Sequence, residues 1–530
     1  MVNNKKKGSF FTPEKLSRYV CSNLLTSIAG YHGKLNVLEP SVGHGSFIKA
    51  LNGISEEGSL DIHVDAYDNE VEFIDHCQAS SFSNISTSFL CADFTEIEEP
   101  SGKYDVVVGN PPYVSYKILD QDCSSKCRDY FKKNGVESKN FRNLWTFFVL
   151  KSINCLADEG SLHLIVPKEL LYVNHAGWLR SLLIKTFQQI NLHIFDHFQF
   201  DRIEQDVVVI ECYKSSANVG FFVCDNATNF SGKPRLQQKI IDQSISNKWS
   251  QLSVSEKDLT FLHKSIDTLL SVSDYCVAVA GIVTAANKFF ILDKEKINSF
   301  GERNVSRPII QKSSDIQGDV VLDRAAFEKI EKNGVACHLL CDFNMVAPPL
   351  PIAEYLKEGE LMGLTNRFKM KRRNPWYKIP VIWESSAFFF KRIHEIPKLI
   401  LNEANVLVTD TAYRVTPLEG VDIQSVIYSF YNSLTMVFCE LRGRSYGGGV
   451  LELTPNEFKD IPIPYQRVDN DAFAKFRRKF TKKSFEELLA HQDKKILTQI
   501  GLTKTEIENI QEIRKSLIVK RIKRNLKNGD

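Results

Sequence analysis

The chain has 530 residues, of which 43% are hydrophobic and 25% charged, and its formal net charge is +3. This composition is typical of a globular protein with a real core and two domains, and it excludes a disordered chain and one whose overall charge alone would attract nucleic acid. The basic start MVNNKKKGSFF has no apolar run after it, and no apolar stretch has the length of a membrane span, so we expect a cytoplasmic protein with no signal peptide and no membrane partner.

The 12 cysteines are scattered along the chain. Cys123 and Cys127 form one close pair and Cys337 and Cys341 another, but the two pairs lie far apart in the chain and do not form a zinc-ligand motif. We therefore interpret the cysteines as reduced thiols of a cytoplasmic protein and predict no metal site.

Short apolar runs alternate with amphipathic segments in the first part of the chain. We predict strands at 34–40, 62–68, 104–110, 161–167 and 206–213, and helices at 13–26, 141–156 and 177–188. Strands that alternate with helices indicate a mostly parallel sheet covered by helices on both faces, which is an α/β fold. IFDHFQF (194–200) and DVVVIECY (206–213) are expected to form an antiparallel hairpin at the sheet edge.

The alternation of strands and helices ends after about residue 214. We place a boundary near residue 235, which gives a first domain at 1–235 and a second, mixed α/β domain at 236–530 that is large enough for its own core. Its end is predicted to be helical and basic, with helices at Phe473–Leu489 and Thr505–Leu526. The basic side chains of these helices either bind phosphates or form solvated faces packed on their own domain.

The segment NVLEPSVGHGSF (36–47) leads from a predicted strand into a loop with Gly43 and Gly45. Glycines let the backbone pass close to a ligand, although an ordinary strand-to-helix turn has the same pattern. Asp68 ends the next strand, and Asp93 follows a third strand-like run. Taken singly, Asp68 could be a solvated carboxylate at a strand end and Asp93 a helix N-cap. In this order, at successive strand ends, they predict a site for a nucleoside-containing ligand at the carboxyl edge of the sheet.

The most specific signal is Asn110-Pro111-Pro112-Tyr113, directly after the strand YDVVVG. Two consecutive prolines fix two φ values and hold the turn rigid. The asparagine amide oxygen and a neighbouring backbone carbonyl can accept two hydrogen bonds, and the tyrosine offers a flat face. This combination suits the binding of a planar aromatic amine whose nitrogen is to attack an electrophilic methyl group.

These segments together resemble the γ-class, Taq-type N6-adenine DNA methyltransferases of type II restriction–modification systems. FTPEKLSRYV (11–20), LEPSVGHGSF, DAYDNE, ADF, NPPY and NLWTFF (143–148) match the family motifs in order. The resemblance implies S-adenosylmethionine as cofactor and Asn110, Pro111, Pro112 and Tyr113 as catalytic residues. It implies that the cofactor is bound by Thr12, Glu39, Pro40, Ser41, Gly43, Gly45, Asp68, Asp93, Phe94, Asn110 and Phe148, with Phe147 as the alternative to Phe148.

The resemblance covers roughly the first 215 residues and also implies the fold and the substrate. The fold would be a Rossmann-like class I methyltransferase sheet with an antiparallel edge hairpin, followed by a target-recognition domain. The substrate would be an adenine flipped out of double-stranded DNA, with Phe200 of FDRIEQDVVVIECY (200–213) and Tyr113 stacking on it. The segment 114–140 matches the family poorly.

Three segments of the second domain resemble the recognition domains of longer relatives or carry DNA-binding chemistry. CVAVAGIVTAANKFF (276–290) resembles the start of such a domain. RRNPWYKIP (372–380) combines arginines with aromatic residues, which suits phosphate contact and stacking. RGRSYGGGVLEL (442–453) also resembles the relatives, and its Arg442 and Arg444 could contact the DNA backbone or guanine edges. The predicted DNA-binding residues are Arg372, Arg373, Trp376, Tyr377, Arg442 and Arg444, and the alternative is a surface charge cluster beside a core tryptophan.

Other functions remain compatible with parts of this pattern. An enzyme with the NPPY motif could methylate RNA or a protein glutamine, and a catalytically inactive chain could serve as a DNA-specificity subunit. A fused nuclease is not expected, because we find no convincing Pro-Asp…Glu-x-Lys set. A separately encoded restriction endonuclease is an expected partner.

Overall fold

The computed structural model describes residues 12–27, 33–58, 60–98, 100–195, 206–225, 236–239, 249–316, 318–344, 346–380, 383–446, 449–482 and 484–522. Within these ranges the chain forms two compact units, one in residues 1–259 and the other in residues 260–522. Each unit has its own sheets and its own buried apolar clusters.

In its described part, the first unit contains one sheet of nine strands in the order β3-β2-β1-β4-β5-β7-β6-β8-β9. Strands β1 to β5 run parallel, while β7 lies antiparallel between β5 and β6. The strands are β1 (Lys34–Glu39), β2 (Asp61–Asp68), β3 (Ser86–Cys91), β4 (Tyr104–Gly109), β5 (Leu156–Pro167), β6 (Gln189–Ile194), β7 (Val207–Tyr213), β8 (Gly220–Asp225) and β9 (Gln237–Lys239).

The described part of the first unit also contains helices. They are α1 (Glu14–Ser27), α2 (Ser46–Gly58), α3 (Val71–Gln78), α4 (Gln121–Lys133), α5 (Leu144–Cys155), α6 (Gly177–Thr186) and α7 (Glu256–Ile266), the last of which crosses into the second unit. Asp120 caps α4 by accepting a hydrogen bond from the backbone N–H of Cys123 at 2.8 Å. Helix α5 is buried on almost all sides, which explains why its sequence LWTFFVLKSINC is apolar around its whole circumference.

The predicted α/β fold is confirmed. The order of strands reverses between β1 and β4, and a crevice forms at such a point beyond the carboxyl ends of the strands. An antiparallel pair is present, but the strand that pairs here with β7 is β6 at Gln189–Ile194 and not IFDHFQF, of which residues 196–200 lie outside the described part of the chain. Strands β8 and β9 extend the sheet beyond the hairpin, because β8 pairs in parallel with β6.

The strands of the second unit form three sheets in the described part, in the orders β10-β19-β15-β17-β13, β11-β14-β12-β18 and β16-β21-β20. Their bounds are β10 (Cys276–Ala280), β11 (Ile291–Leu292), β12 (Ser306–Ile310), β13 (Val321–Leu322), β14 (His338–Leu340), β15 (Ala387–Phe390), β16 (Arg392–Ile393), β17 (Leu399–Asn402), β18 (Leu407–Val408), β19 (Ala412–Pro417), β20 (Arg444–Tyr446) and β21 (Val450–Glu452).

The helices of the second unit are α8 (Val272–Tyr275), α9 (Asn287–Phe290), α10 (Lys294–Ser299), α11 (Arg324–Lys332), α12 (Leu350–Leu361), α13 (Ile423–Phe430), α14 (Ser433–Arg442), α15 (Pro455–Lys459), α16 (Asn470–Lys482), α17 (Phe485–Ile496) and α18 (Lys504–Ile522). The single helix predicted at Phe473–Leu489 is wrong: it is two helices, α16 and α17. Ser484 begins the second one, because its hydroxyl and the Glu487 carboxylate form a capping box there. None of the helices described is long and apolar enough to cross a membrane.

A buried polar network crosses the sheet of the first unit beneath α1. The imidazole of His193 on β6 lies 3.1 Å from the Glu211 carboxylate on β7 and 2.8 Å from the Tyr19 hydroxyl. Asn23 and Asn191 donate to the same carboxylate at 2.8 and 3.0 Å. Burial alone would lower the pKa of His193, but the Glu211 carboxylate outweighs burial and raises this pKa to about 9. The His193 cation in turn lowers the pKa of Glu211 to about 2 against the opposite effect of burial.

We expect the network to make the stability of the first unit sensitive to alkaline pH. A histidine whose pKa is raised on folding stabilises fully below its unfolded pKa of about 6.5, and this contribution is lost as pH rises through about 9. Hydrogen exchange of the β6 and β7 amides in urea, corrected for intrinsic rates, should therefore show a fall in unfolding free energy between these values. His193→Gln should remove most of the fall, while His394→Gln at an exposed position should keep it. A full alkaline fall in His193→Gln would assign the effect to other groups.

Candidate functional site

A cavity of about 470 Å³ lies beyond the carboxyl ends of β1, β2 and β4. Eight of the predicted cofactor-binding residues line it: Pro40, Ser41, Gly43, Asp68, Asp93, Phe94, Asn110 and Phe148. Pro112 lines it as well, whereas Thr12, Glu39, Gly45, Pro111 and Tyr113 are not among the lining residues. The structure thus brings together residues that are up to about a hundred positions apart in the sequence.

The glycine loop after β1 is held against the end of β2. The N–H of Gly43 donates to Asp68 Oδ2 at 2.9 Å, and the N–H of Val42 donates to the Tyr67 carbonyl at 2.9 Å. Gly43 and Gly45 have φ values of +50° and +72°, a region that favours glycine. A Cβ at Gly45 would also lie 3.0 Å from the Cys77 sulfur, so this position has a packing reason for glycine as well.

The carboxylates that end β1 and β2, Glu39 and Asp68, both have a raised pKa, and of the two only Asp68 is a lining residue of the cavity. Burial raises the pKa of Asp68, although the N–H groups of Gly43 and Glu70 donate to its two oxygens at 2.9 and 3.0 Å. Burial and the neighbouring Asp68 raise the pKa of Glu39 well above its usual value. Glu39 is only 1% exposed, and within the described residues its Oε2 has no hydrogen-bond partner. A buried carboxylate oxygen without a partner favours a cationic or hydrogen-bond-donating ligand nearby.

The cavity is lined by six carboxylates and, within the described residues, by no lysine, arginine or histidine. The six are Asp68, Glu70, Asp93, Glu96, Asp120 and Asp122. Such a lining attracts a ligand with positive charge and repels a pyrophosphate, so a dinucleotide fits it poorly. The sulfonium and ammonium groups of S-adenosylmethionine carry the charge that this cavity favours.

No motif in the sequence predicts the wall of the cavity that the segment before and within α4 forms. Ile118, Leu119, Asp120, Asp122 and Cys123 line the cavity from this wall. The segment 114–140 carries no recognised motif, and its capping residue Asp120 becomes evident only in the structure. The backbone N–H of Leu144 donates to the Val114 carbonyl at 2.8 Å and ties this wall to the start of α5.

Aromatic side chains close the far side of the cavity. The Phe94 and Phe148 rings lie 5.1 Å apart and are tilted by 42°. Phe148 lines the cavity, whereas Phe147 packs on Tyr130 at 4.9 Å and is not a lining residue. Asp93 has two roles here, because it lines the cavity while its Oδ1 accepts a hydrogen bond from the Thr95 N–H at 2.7 Å.

The Asn110-Pro111-Pro112-Tyr113 turn follows β4 directly and presents Asn110 to the cavity. The Asn110 side-chain oxygen accepts a hydrogen bond from the Tyr113 hydroxyl at 2.6 Å, and its nitrogen donates to the Thr12 hydroxyl at 3.1 Å. The Ser41 hydroxyl donates to the Asn110 carbonyl at 3.1 Å. Burial raises the pKa of Tyr113 well above its usual value, so this side chain remains a hydrogen-bond donor. The amide is therefore fixed in one orientation by contacts from two loops.

The predicted DNA-binding residues at 372–377 differ from one another in exposure and in the groups that they contact. The Arg372 guanidinium is exposed and lies over the Phe368 ring at 4.2 Å. Arg373 donates to the carbonyls of Thr284 and Val283, both at 2.9 Å. Trp376 donates to the Glu360 carboxylate at 3.1 Å, and both Trp376 and Tyr377 pack on a buried apolar cluster.

Arg442 and Arg444 are largely enclosed within the second unit. Burial lowers the pKa of Arg442, whose guanidinium lies over the Phe438 ring at 5.3 Å. Arg444 donates to the buried Glu457 carboxylate at 2.9 Å. Phe200, which was predicted to stack on the target base, lies outside the described residues. All 12 cysteines are free thiols, and the described residues contain no group of three or more potential metal ligands.

Comparison with known proteins gives two family matches on this chain. The family described as "Eco57I restriction-modification methylase" matches residues 44–200, and the family described as "Type II methyltransferase M.Eco57I, C-terminal domain" matches residues 246–497. Type II methyltransferase M.AccI of Acinetobacter calcoaceticus is 25% identical over 491 residues, which cover 86% of this chain and 85% of that one.

Two further proteins are similar over most of the chain. Type II methyltransferase M.XamI of Xanthomonas campestris pv. amaranthicola is 20% identical and covers 87% of this chain and 85% of its own. The crystal structure of the type IIG restriction endonuclease BpuSI aligns with a TM-score of 0.42 at 15% identity, over 96% of this chain and 66% of that chain. The chain therefore spans slightly less than two thirds of the BpuSI chain.

Proposed function

We propose that this chain, which belongs to the Eco57I-type restriction–modification methylase family, transfers a methyl group to the N6 amino group of an adenine flipped out of duplex DNA. The family makes it a DNA methyltransferase with a modification role, and S-adenosylmethionine is its cofactor. The adenine amino group, the flipped base and the roles of individual residues are the parts that we propose.

The observation that carries the proposal is the fixed amide of Asn110 at the edge of an acidic cavity. When the amino group of the target base enters, the Asn110 side-chain oxygen and the Pro111 carbonyl oxygen accept hydrogen bonds from its two N–H groups. These acceptors draw the nitrogen away from the plane of the base and free its lone pair for attack. In the structure the Tyr113 hydroxyl donates a hydrogen bond to the Asn110 side-chain oxygen. When the base binds, this oxygen must accept a second hydrogen bond or exchange the tyrosine for the base.

The other cavity residues hold the cofactor in this proposal. Asp68 accepts hydrogen bonds from the ribose hydroxyls, Asp93 accepts from the adenine amino group, and Phe148 flanks the adenine ring. Glu39 and Thr12 act at the methionine end, with the Gly43–Gly45 loop passing close to the ligand. When it is bound, S-adenosylmethionine supplies an electrophilic methyl group on its sulfonium centre. Because this donor is already reactive, orientation of the amine by the chain provides most of the rate enhancement.

The target adenine must leave the duplex to reach this turn, which costs a few kcal/mol. Stacking on Tyr113 and Phe200 offsets this cost, since base–aromatic stacking is worth roughly 1–3 kcal/mol. We assign the catalytic role to residues 1–235 and target recognition to residues 236–530. A separately encoded endonuclease is the expected functional partner. Of the six DNA-contact residues proposed from sequence, Arg372 has the exposed guanidinium that a phosphate or base contact needs.

The proposal is tested by expressing the gene in a host without DNA methylation and mapping modified bases by single-molecule sequencing. The expected result is N6-methyladenine at one short recurring sequence. Methylcytosine at such a sequence would contradict the adenine assignment. Transfer of tritium from labelled cofactor to RNA or to protein, with none to duplex DNA, would favour another enzyme with the same motif.

A further inference from the structure

The segment 361–378, LMGLTNRFKMKRRNPWYK, is the basic segment of the second unit. It has six cations and no acidic residue, although the whole chain has a net charge of only +3. The cations are Arg367, Lys369, Lys371, Arg372, Arg373 and Lys378, and all but Arg373 are exposed. Such a local excess of one charge is costly unless a partner of opposite charge neutralises it.

The basic segment differs from the other basic parts of the second unit in its lack of carboxylate partners. Arg477 forms hydrogen bonds with Asp319 and Asp323, Arg514 is paired with Glu486, and Arg521 is paired with Glu440. Throughout the described ranges, no carboxylate lies within ion-pair distance of any of the six cations of the basic segment. These three arginines of the terminal helices are neutralised within the protein, whereas the basic segment is left with charge for an external ligand.

Two arginines of the basic segment fix it to the loop before α9. Arg367 donates to the Ala285 carbonyl at 2.7 Å, and Arg373 donates to the carbonyls of Thr284 and Val283. Ala285 has a φ of +68°, which an alanine adopts only under constraint. Since guanidinium groups keep their charge while they donate to carbonyls, the contacts build a rigid surface and leave its charge in place.

This surface is concave and carries exposed apolar side chains among its cations. A cavity of about 850 Å³ is lined by residues of both loops, among them Lys288, Arg367 and Lys369, and of the carboxylates that the structure describes only Asp410 lines it. Phe368 is 69% exposed and Met362 is 67% exposed, although large apolar side chains are usually covered. Arg372 stacks on the Phe368 ring at 4.2 Å, so an aromatic face and a guanidinium project together.

We propose that this concave basic surface is where the second unit contacts duplex DNA, with Lys288, Lys369 and Lys371 on phosphates and the Phe368–Arg372 pair on a base. This inference rests on the proposed function and adds the residues that contact the target. Lysines suit phosphates because each is a mobile point charge, and they set register without reading sequence. The Phe368–Arg372 pair offers a ring to stack on a base and a guanidinium to donate to a base edge.

The charge part of the proposal is tested with Lys369→Ala/Lys371→Ala on the full chain. The probe is a fluorescein-labelled 30-base-pair duplex of mixed sequence, titrated by anisotropy between 0.05 and 0.2 M salt. The negative slope of log affinity against log salt should become shallower by about 1.8, since each lost phosphate contact removes about 0.9 from its magnitude. Lys329→Ala/Lys332→Ala on α11 removes two exposed lysines of the same unit and should leave the slope unchanged. An unchanged slope in the first variant would overturn the phosphate assignment, as would equal slopes in both variants.

The aromatic part is tested with Phe368→Ala and methyl transfer to unmethylated plasmid DNA. Loss of one stacking contact should lower kcat/KM by about 5- to 150-fold, while affinity for the mixed-sequence duplex changes by less than about threefold. Leu361→Ala, at another exposed apolar residue of the segment, should be close to wild type. Wild-type kcat/KM in Phe368→Ala would overturn the base-contact role.

The wild-type reaction separates this inference from the proposed function. If the wild-type chain transfers no methyl group to any DNA, the proposed function fails. If it methylates DNA and both variants bind and methylate as it does, the proposed function stands and the location of the DNA contact is wrong. Preference of the wild-type chain for an RNA duplex of the same sequence would overturn the choice of DNA.

Discussion

Replacing Asn110 with alanine is expected to lower kcat for DNA methylation by about 10²–10³-fold, as removal of one fixed polar group at a reacting centre typically does. The substitution removes the side-chain acceptor that we propose for the target amine. It also removes the anchor of the Tyr113 hydroxyl and of Thr12, so both loops lose their common contact. The measurement is single-turnover transfer of tritiated methyl to plasmid DNA at saturating enzyme.

Cofactor binding separates a catalytic role of Asn110 from damage to the cavity. By calorimetry, Asn110→Ala should bind S-adenosylmethionine within about tenfold of wild type, because Asp68, Asp93 and Phe148 are untouched. Like Asn110→Ala, Tyr113→Ala is expected to lower the rate of methyl transfer and to leave cofactor binding within about tenfold of wild type. Asn298→Ala, at an exposed position on α10, serves as the matched control and should transfer at the wild-type rate. Near-normal turnover in Asn110→Ala would remove the basis of the proposed mechanism.

Replacing Asp68 with asparagine is expected to weaken cofactor binding by at least about 100-fold, because two charge-assisted hydrogen bonds of roughly 1.5 kcal/mol or more each are lost. In the structure both carboxylate oxygens already accept backbone N–H groups, those of Gly43 and Glu70. An asparagine would turn an amide N–H₂ group against one of these donors and loosen the glycine loop as well. Calorimetric titration with S-adenosylmethionine measures the effect.

The ionisation of Asp68 adds a pH dependence to this prediction. Because burial raises the pKa of Asp68, this side chain is protonated at a higher pH than an exposed aspartate. Cofactor affinity should therefore fall as pH is lowered through the pKa of Asp68. In Asp68→Asn, cofactor affinity should depend less on pH. Asp61→Asn, at the exposed start of β2, should bind as wild type and keep the pH dependence. Tight binding by Asp68→Asn would mean that the carboxylate does not hold the cofactor.

The catalytic half of the chain follows closely from local patterns in the sequence. Strands β1, β2 and β4 are short and largely buried, and they end in a glycine loop, an aspartate and the Asn110 turn. In a parallel sheet the carboxyl ends of such strands meet at one edge, so the order of motifs was enough to predict that Gly43, Asp68 and Asn110 would lie together. The acidic wall before and within α4 was not predictable in this way, because Asp120 and Asp122 reach the cavity through the packing of a segment without a motif.

The basic residues of the second half show what sequence alone could not resolve. Arg477 and Arg372 look alike in the sequence, since each lies beside another arginine near aromatic residues. Arg477 binds Asp319, 158 positions away, whereas Arg372 is exposed beside Phe368. The same holds for Arg521, which binds Glu440 81 positions away.

The sequence by itself determined the backbone geometry at the site: strand ends, positive φ at two glycines and a turn stiffened by two prolines are set by neighbours along the chain. Only the tertiary structure decided which charges are neutralised within the protein. The physical reason is that ion pairs depend on distance and burial, and in a folded chain both are set by residues far away in the sequence.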